Sequence, residues 1–343
     1  MQNFTKLFLT SLALTLAACD AGDLGDDLGD DFGDEATEFR PGPYGGISLN
    51  TSFLGGMDNG EMDLMGKFHK NMRLIQVCLP YKRSTVCIGA GKDPLWVEAG
   101  QIYAQKYGIT FSGQDFINSR WFIEVDYDRD GVVDSTVQNV ITAAAANATV
   151  QTGIPYWDYS WAYDSKTATG LLPKYIKLSD TPTAMCEVDV DTGSVGSVVL
   201  ENTSIDTSLT TKALVEKVAN VMFIACHSGA AGKAPTWGYV LYHQGHTHYT
   251  NVLRVIRADY CNTGESFTEP GQKVAVTDVL GISDQYDAGY QTEGMASVTG
   301  GWMCLDRPRL ADLGDVQKVC PIPACGEKVK LGDPDIDIMT QLP

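Results

Sequence analysis

Eight cysteines between residues 78 and 325 constrain this chain more strongly than any other feature of its sequence. An even number of cysteines predicts four disulfides if the chain leaves the cytoplasm. Two local pairs are the simplest, namely Cys78–Cys87 across a turn between two apolar strands and Cys320–Cys325 across a proline-stiffened loop. A thiolate zinc site is the competing interpretation, but the sequence has no Cys-x-x-Cys pair. The predicted disulfide cysteines are Cys78, Cys87, Cys186, Cys226, Cys261, Cys304, Cys320 and Cys325.

The ninth cysteine, Cys19, follows a segment that is typical of exported proteins. Lys6 precedes an apolar stretch, residues 7–16, that is too short to cross a bilayer but suits the core of a signal peptide. Leu16-Ala17-Ala18-Cys19 resembles the lipobox of bacterial lipoproteins, which are cleaved before the cysteine and acylated on it. We therefore expect residues 1–18 to be removed and Cys19 to anchor the protein to a membrane of the cell envelope. Ordinary secretion with an accidental cysteine is the alternative.

The segment from residue 19 to residue 38 is strongly acidic and repeats Gly–Asp units. Like charges and glycines disfavour a helix, so we expect an extended tether behind the lipid. Loose calcium binding by this tract is the less favoured alternative. The whole chain has a formal net charge of −18. This charge argues against a nucleic-acid partner, because phosphate binding needs clustered Lys and Arg.

The rest of the chain predicts an α+β fold in two regions. Residues 39–195 are expected to be β-rich and sandwich- or barrel-like, with strands such as Met72–Cys78 and Trp121–Val125. Residues 196–343 are expected to form a disulfide-stapled α+β region. Its two main helices are predicted at Thr211–Ala225 and Thr247–Cys261, where apolar residues recur at helical spacing.

The second predicted helix ends in the string Arg257-Ala258-Asp259-Tyr260-Cys261. This string resembles the signature of the ADYC-domain family of bacterial lipoproteins. Supporting matches are Lys233, Trp237-Gly238-Tyr239, Trp302-Met303-Cys304-Leu305 and Arg307-Pro308-Arg309, and the resemblance covers roughly residues 185–325. The family is functionally uncharacterised, so the resemblance implies a compartment but no reaction.

Asp259 and Tyr260 are the polar residues of this motif that could carry chemistry. We interpret Asp259 as a carboxylate bonded to Arg257, Arg254 or backbone amides at the helix end, in preference to a catalytic acid. Tyr260 is interpreted as a core aromatic residue whose hydroxyl is satisfied.

A loop of alternating aspartates predicts a structural calcium site. Asp126, Asp128, Asp130 and Asp134 occupy loop positions 1, 3, 5 and 9, with the Val132 carbonyl at position 7 and Gly131 at the sharp turn. Val137 stands where an EF-hand has glutamate, so the loop resembles the shorter calcium sites of extracellular β-rich proteins. An acidic hairpin turn is the alternative.

Three histidines, His243, His246 and His248, form a weaker candidate for a zinc or copper site, to which His227 could add a fourth ligand. No HExxH pattern accompanies them, and a solvated loop before a helix is the favoured interpretation.

Alternating aromatic residues at Trp157, Tyr159, Trp161 and Tyr163 predict one aromatic face on a strand. Such a face is usually sheet core, but an exposed one would be a platform for a glycan or a protein ligand.

Together these features predict a lipid-anchored, extracytoplasmic protein with a non-enzymatic binding or structural role. The alternative is a metal-dependent hydrolase that uses His243, His246 and His248. Calcium is the expected cofactor, as a structural ion.

Overall fold

Strands account for most of the regular structure, in keeping with the many short β-branched and aromatic stretches. The computed structural model describes residues 60–126, 128–164, 183–190, 193, 195–205 and 215–343. Strands in these ranges are β1 (Glu61–Asp63), β2 (Met72–Tyr81), β3 (Ser84–Gly89), β4 (Leu95–Glu98), β5 (Gln101–Lys106), β6 (Ile109–Ser112), β7 (Arg120–Val125), β8 (Ser135–Ala148), β9 (Pro155–Asp164), β10 (Thr183–Ala184), β11 (Gly196–Leu200), β12 (Thr203–Ile205), β13 (Val215–Lys217), β14 (Val221–Cys226), β15 (Ala275–Asp278), β16 (Gln291–Ser297), β17 (Gly301–Leu305) and β18 (Ile338–Leu342). Helices in the same ranges are α1 (Ala230–Lys233), α2 (Leu241–Gln244), α3 (His246–Arg257) and α4 (Leu313–Val319), with 3-10 helices at Gly113–Phe116 and Ala234–Trp237.

The described strands form four antiparallel sheets. The largest has the order β1-β14-β11-β9-β8-β7-β2-β3, with β10 paired to β9. Strands β4, β5 and β6 form a small meander, β12 and β13 a two-stranded ribbon, and β15-β18-β16-β17 a four-stranded sheet. Edge strand β1 also contacts β2, although the two are not neighbours in the hydrogen-bonded order. The large sheet therefore curls, but the described strands do not close it into a barrel.

Two bulges keep the apolar residues of long strands on one face. In β2 the pairing with β7 shifts between Leu74 and Gln76, so Leu74 and Val77 both reach the same core. In β8 the pairing with β9 shifts after Ile141, so Ile141 and Ala144 both reach that core. At each bulge, the extra residue keeps the apolar side chains that follow it pointing towards the core of the curled sheet.

The large sheet separates two hydrophobic cores. One core lies between the sheet and the β4-β5-β6 meander and contains Trp121 and Trp161. The other core lies against α1 and α3 and the four-stranded sheet, with Tyr249 and Trp302 among its members. Strands β11 and β14 contribute to both cores, because alternate residues of each strand face opposite sides.

The first predicted helix is wrong. Val215–Lys217 is strand β13, and Val221–Cys226 is the fully buried strand β14. Phe223 and Ala225 pack into one core while Met222 and Ile224 pack into the other. A strand buried on both faces has a continuous apolar run, which periodicity alone cannot distinguish from a buried helix. The second predicted helix is confirmed as α3, although it ends at Arg257 instead of Cys261.

Four disulfides join the eight cysteines, which rules out a thiolate zinc site among them. Cys78–Cys87 links β2 to β3, as predicted. Cys186 pairs with Cys226 at the end of β14. The predicted Cys320–Cys325 pair is wrong, because Cys320 bonds to Cys261 and Cys325 bonds to Cys304.

Contacts with α3 and β17 fix the position of the segment between Cys320 and Cys325. Ile322 is buried in the core against α3, and the Pro323 carbonyl accepts a hydrogen bond from the Leu305 amide at the end of β17. The stiff segment therefore runs alongside β17, and its two cysteines reach different partners.

Several sequence predictions concern residues outside the described ranges, namely the signal peptide, Cys19 and the acidic tether. The large sheet takes strands from both sides of residue 195, so the expected boundary at 195/196 does not coincide with a division of this sheet. In the described part of the chain, no helix has the length and apolar character needed to cross a membrane.

Candidate functional site

The motif from Arg257 to Cys261 lies where helix α3 ends. Ala258 adopts the left-handed conformation, with φ of 54°, and its amide donates to the carbonyls of Arg254 and Val255. This conformation stops the helix and turns the chain towards Cys261. Glycine is the usual residue at such a position, so the fold holds an alanine in a conformation that its side chain disfavours.

Asp259 stabilises the turn that follows. The carboxylate is fully buried, and its two oxygens accept hydrogen bonds from the amides of Thr263 (2.9 Å) and Gly264 (3.0 Å). Burial raises the pKa of Asp259, while the positive charge of Arg257 and the two amides oppose this rise. Burial also lowers the pKa of Arg257, to about 10, which leaves its guanidinium charged at neutral pH. These contacts agree with a carboxylate that stabilises the helix end.

Tyr260 connects the motif to the four-stranded sheet. Its hydroxyl donates to Glu293 of β16 at 2.6 Å and accepts the Arg309 amide at 2.9 Å. Its ring packs edge-on against Trp302 and is stacked on Phe267. The interpretation of Tyr260 as a core aromatic residue with a satisfied hydroxyl agrees with these contacts.

Arg309 completes a buried polar network around the helix end. Its Nε atom lies 2.8 Å from Glu293, and the terminal nitrogens donate to the carbonyls of Ile256 and Val255 at 2.7 and 2.8 Å. The charged side chains of this pair are almost fully buried. Cys261 ties the same region to α4 through Cys320. We refer to Arg257, Asp259, Tyr260, Glu293 and Arg309 as the motif cluster.

The predicted calcium loop connects β7 to β8. Its hairpin is closed by the pair Val125 and Ser135, and the Asp134 amide donates to the Val125 carbonyl. Within the loop, the Asp130 amide donates to Asp128 and the Val132 amide donates to Asp130. Gly131 has φ of +89°, the positive φ expected at the sharp turn.

Three of the predicted ligands lie together. One carboxylate oxygen from each of Asp126, Asp128 and Asp130 falls within 4.8 Å of the others. Asp128 and Asp130 are exposed, but Asp126 is only 4% exposed. Oδ2 of Asp126 accepts the Gly131 amide, whereas Oδ1 is buried and has no hydrogen-bond partner. Asp134 is not part of this group.

The three histidines do not converge. The aspartate group is the only set of three or more metal-ligating side chains that lie together in the described part of the chain. His243 is exposed on α2, His246 contacts Thr203, and His248 lies against the Tyr239 ring. His227 is instead paired with Asp158 at 2.9 Å. His246 and His248 diverge because residues two apart on α3 face different sides, and His243 lies on another helix, α2.

The alternating aromatic residues are mainly core residues. Tyr159 and Trp161 are each 1% exposed and pack in the core beneath the meander, so neither ring can stack on a ligand. Trp157 is partly buried against the same core. The Tyr163 side chain lies outside the described residues.

Glu61 and Glu293 are buried carboxylates that the sequence analysis does not identify. Glu293 has no motif around it, and only its network with Tyr260 and Arg309 reveals its role. Glu61 of β1 binds the Lys70 ammonium at 2.8 Å, the Ser204 hydroxyl at 2.7 Å and the Ile205 amide at 2.8 Å. Burial raises the pKa of Glu61, but hydrogen bonds from His69 and Lys70 outweigh it and the pKa is lowered.

Comparison with known proteins identifies a family. Residues 113–311, more than half of the chain, match the ADYC domain. No curated protein and no solved structure matches the chain. The match includes the whole motif at residues 257–261 and begins at the 3-10 helix Gly113–Phe116, well before residue 185. The chain therefore belongs to the ADYC domain family.

Proposed function

We propose that this protein is an exported, lipid-anchored protein of the cell envelope with a structural or ligand-binding role, stabilised by calcium. The observation that carries the non-enzymatic part is the motif cluster. Both oxygens of Asp259, the hydroxyl of Tyr260 and the guanidinium of Arg309 bond to neighbouring groups of the chain. Groups committed to buried internal bonds stabilise a fold, whereas a catalytic acid must reach its substrate.

The lipid anchor is supported by the sequence before residue 20. An apolar segment of signal-peptide length ends at Leu16-Ala17-Ala18-Cys19, and the acidic residues that follow would keep the folded part away from an anionic surface. The four disulfides fit an oxidising compartment.

Replacement of the lipidated cysteine tests the anchor. In the native host, Cys19→Ala should abolish metabolic labelling with a radioactive fatty acid and release the protein from washed membranes. Ala18→Gly keeps both a small residue and the cysteine, so it should remain labelled and bound. A Cys19→Ala protein that stays firmly membrane-bound would refute the anchor.

Calcium binding is supported by the unpartnered Oδ1 of Asp126. A buried carboxylate oxygen without a partner costs free energy, and a divalent cation shared with Asp128 and Asp130 would remove that cost. Calcium prefers several carboxylate and carbonyl oxygens around one point, and a loop with alternating aspartates supplies them. The ion would hold the β7–β8 hairpin loop in place.

Calcium should raise the melting temperature of the protein. Binding stabilises by about 2.7 kcal/mol when free calcium is a hundredfold above the dissociation constant. Extracellular calcium sites often bind at about 10⁻⁴–10⁻³ M, so millimolar concentrations are needed, and magnesium should be less effective.

Asp128→Asn should abolish this shift and leave the calcium-free melting temperature nearly unchanged, because Asp128 is exposed. Glu327→Gln removes the same charge from an exposed residue outside the loop and should respond like the wild type. An equal calcium shift in wild type and Asp128→Asn would show that the loop is only an acidic turn.

A further inference from the structure

A cavity of about 210 Å³ lies beside the motif cluster. It is bounded by Ile256 near the end of α3, by Trp237 of the second 3-10 helix, and by residues 268–274 of the segment that leads to β15. A single water needs about 10–15 Å³ of such space, so the cavity is large enough for a small organic molecule. All of its lining residues fall within the family match.

The buried polar part of the wall is formed by Lys233 and Thr268. Lys233 is 7% exposed at the end of α1 and Thr268 is 1% exposed. Asp189 contacts the Lys233 ammonium at 3.4 Å, and Asp189 itself does not line the cavity. An ammonium group and a hydroxyl beside one cavity can both donate hydrogen bonds to an oxyanion.

The rim carries charges of both signs. Lys273 and Glu269 are exposed there. Arg309 also lines the cavity, but its charge is balanced by Glu293 and its nitrogens are bonded to that carboxylate and to backbone carbonyls. Lys233 is likewise balanced by Asp189, so the rim charges that remain are those of Lys273 and Glu269.

The remaining wall is apolar. Trp237 is partly buried against the core, and Ile256 and Val274 line the same cavity. Binding pockets for small molecules combine an apolar wall with a few polar groups that orient the ligand. Lys233, Trp237 and Arg309 also carry the family resemblance, and the fold brings Arg309, which is distant in the sequence, to the same cavity as the other two.

We propose that this cavity binds a small organic anion. Its oxyanion head, a carboxylate or a phosphate, bonds to Lys233 and Thr268, and its ring or apolar body packs against Trp237 and Ile256. This binding site goes beyond the proposed function and depends neither on the lipid anchor nor on calcium.

The test uses the full chain with its disulfides formed and three probes of similar size: benzoate, phenyl phosphate and neutral benzamide. Saturation-transfer NMR detects binding and calorimetry measures affinity. At least one of the two anions should bind with a dissociation constant below about 1 mM and at least tenfold more tightly than benzamide. The comparison of benzoate with phenyl phosphate decides which head group the site prefers.

Two exposed rim residues give opposite expectations. Lys273→Gln should weaken binding of the preferred anion by about two- to fivefold, and Glu269→Gln should strengthen it by a similar factor. Lys328→Gln, which removes an exposed positive charge from a residue that does not line the cavity, should leave the affinity unchanged.

Three results would overturn the proposal. The first is that neither anion binds in the millimolar range, and the second is that benzamide binds as tightly as the anions. The third is that the two rim variants fail to shift the affinity in opposite directions. Because both rim residues are exposed, these variants should fold, and a circular dichroism spectrum verifies it.

Discussion

Ala258, Asp259, Tyr260 and Cys261 are consecutive, and each stabilises the region after α3 in a different way. Ala258 turns the chain, Asp259 accepts two amides, Tyr260 bonds to Glu293, and Cys261 is joined to Cys320. Such a motif has the polar residues of a catalytic site but the burial of a core. For single residues, exposure and hydrogen-bond partners therefore distinguish the two roles better than residue type does.

His248 makes the stability of the protein depend on pH. Burial lowers its pKa below the ordinary value of 6.5, although Asp278 and Asp337 oppose the shift, and its Nε2 atom is buried without a hydrogen-bond partner. The folded state therefore binds a proton less readily than the unfolded state. Stability is present above the unfolded pKa and is lost as the pH falls below it. The melting temperature should accordingly decrease between about pH 6.5 and pH 5.

His248→Gln should reduce this decrease. It should not remove it, because burial also lowers the pKa of His246. His243→Gln is the matched control, since His243 is exposed on α2. Melting curves over the same pH range check the prediction. An unchanged pH dependence in His248→Gln, or an equal reduction in His243→Gln, would contradict it.

At the scale of elements, the C-terminal end of α3 is capped from outside the helix. The last carbonyls of a helix lack partners within it, and Arg309 donates to those of Val255 and Ile256. The planar guanidinium can do this while it also bonds to Glu293, because it carries five donors in a fixed fork. The packing of α3 and the four-stranded sheet is thus coupled through one side chain.

Arg309→Lys should loosen the last turn of α3. An ammonium group keeps the charge but cannot reach both carbonyls and Glu293 together. The Val255 carbonyl keeps the Ala258 amide, but the buried Ile256 carbonyl loses its donor, so the free energy of unfolding should fall by about 1–3 kcal/mol. Hydrogen exchange should become faster in the last turn of α3.

Arg307→Lys makes the same change two residues earlier, at an exposed side chain that donates to Gln291. It should alter neither the stability nor the exchange rates measurably. Similar effects of the two substitutions would show that Arg309 does not cap the helix.

At the scale of the whole molecule, four disulfides secure a fold whose large sheet is built from distant parts of the chain. Strand β1 pairs with β14, and β11 pairs with β9, so strands as far apart as residues 61 and 226 meet in one sheet. Cys186–Cys226 joins the segment before β11 to the end of β14. Cys261–Cys320 spans 59 residues, whereas Cys78–Cys87 spans 9 and only staples a hairpin.

Removal of the two bridges should therefore have unequal effects. In the chain-entropy estimate, the Cys261→Ala/Cys320→Ala protein should lose about 4 kcal/mol and the Cys78→Ala/Cys87→Ala protein about 3 kcal/mol. Denaturant unfolding of both proteins measures the difference. Peptide mapping without reduction should recover the four pairs in the wild type. A free thiol at any of the eight paired cysteines in the denatured, non-reduced wild type, or a larger loss from the short bridge, would contradict this prediction.

The sequence alone determined the features that depend on neighbouring residues. The Cys78–Cys87 pair needs only two adjacent strands and a turn, and α3 is shown by its apolar spacing. The close approach of Asp126, Asp128 and Asp130 likewise follows from their spacing in one loop. Local geometry brings such groups together whatever the rest of the chain does.

Only the tertiary structure decided the features that depend on distant partners. The sequence predicts a helix where β14 lies, because its apolar run reflects burial on both faces, and this burial depends on what packs there. Cys320 bonds to Cys261 and Cys325 bonds to Cys304, because Ile322, which lies between the two cysteines in the sequence, is buried in the core. The role of Asp259 likewise depends on a turn and on arginines that only the fold places around it. Burial and long-range pairing are properties of the packed chain, and residue spacing does not contain them.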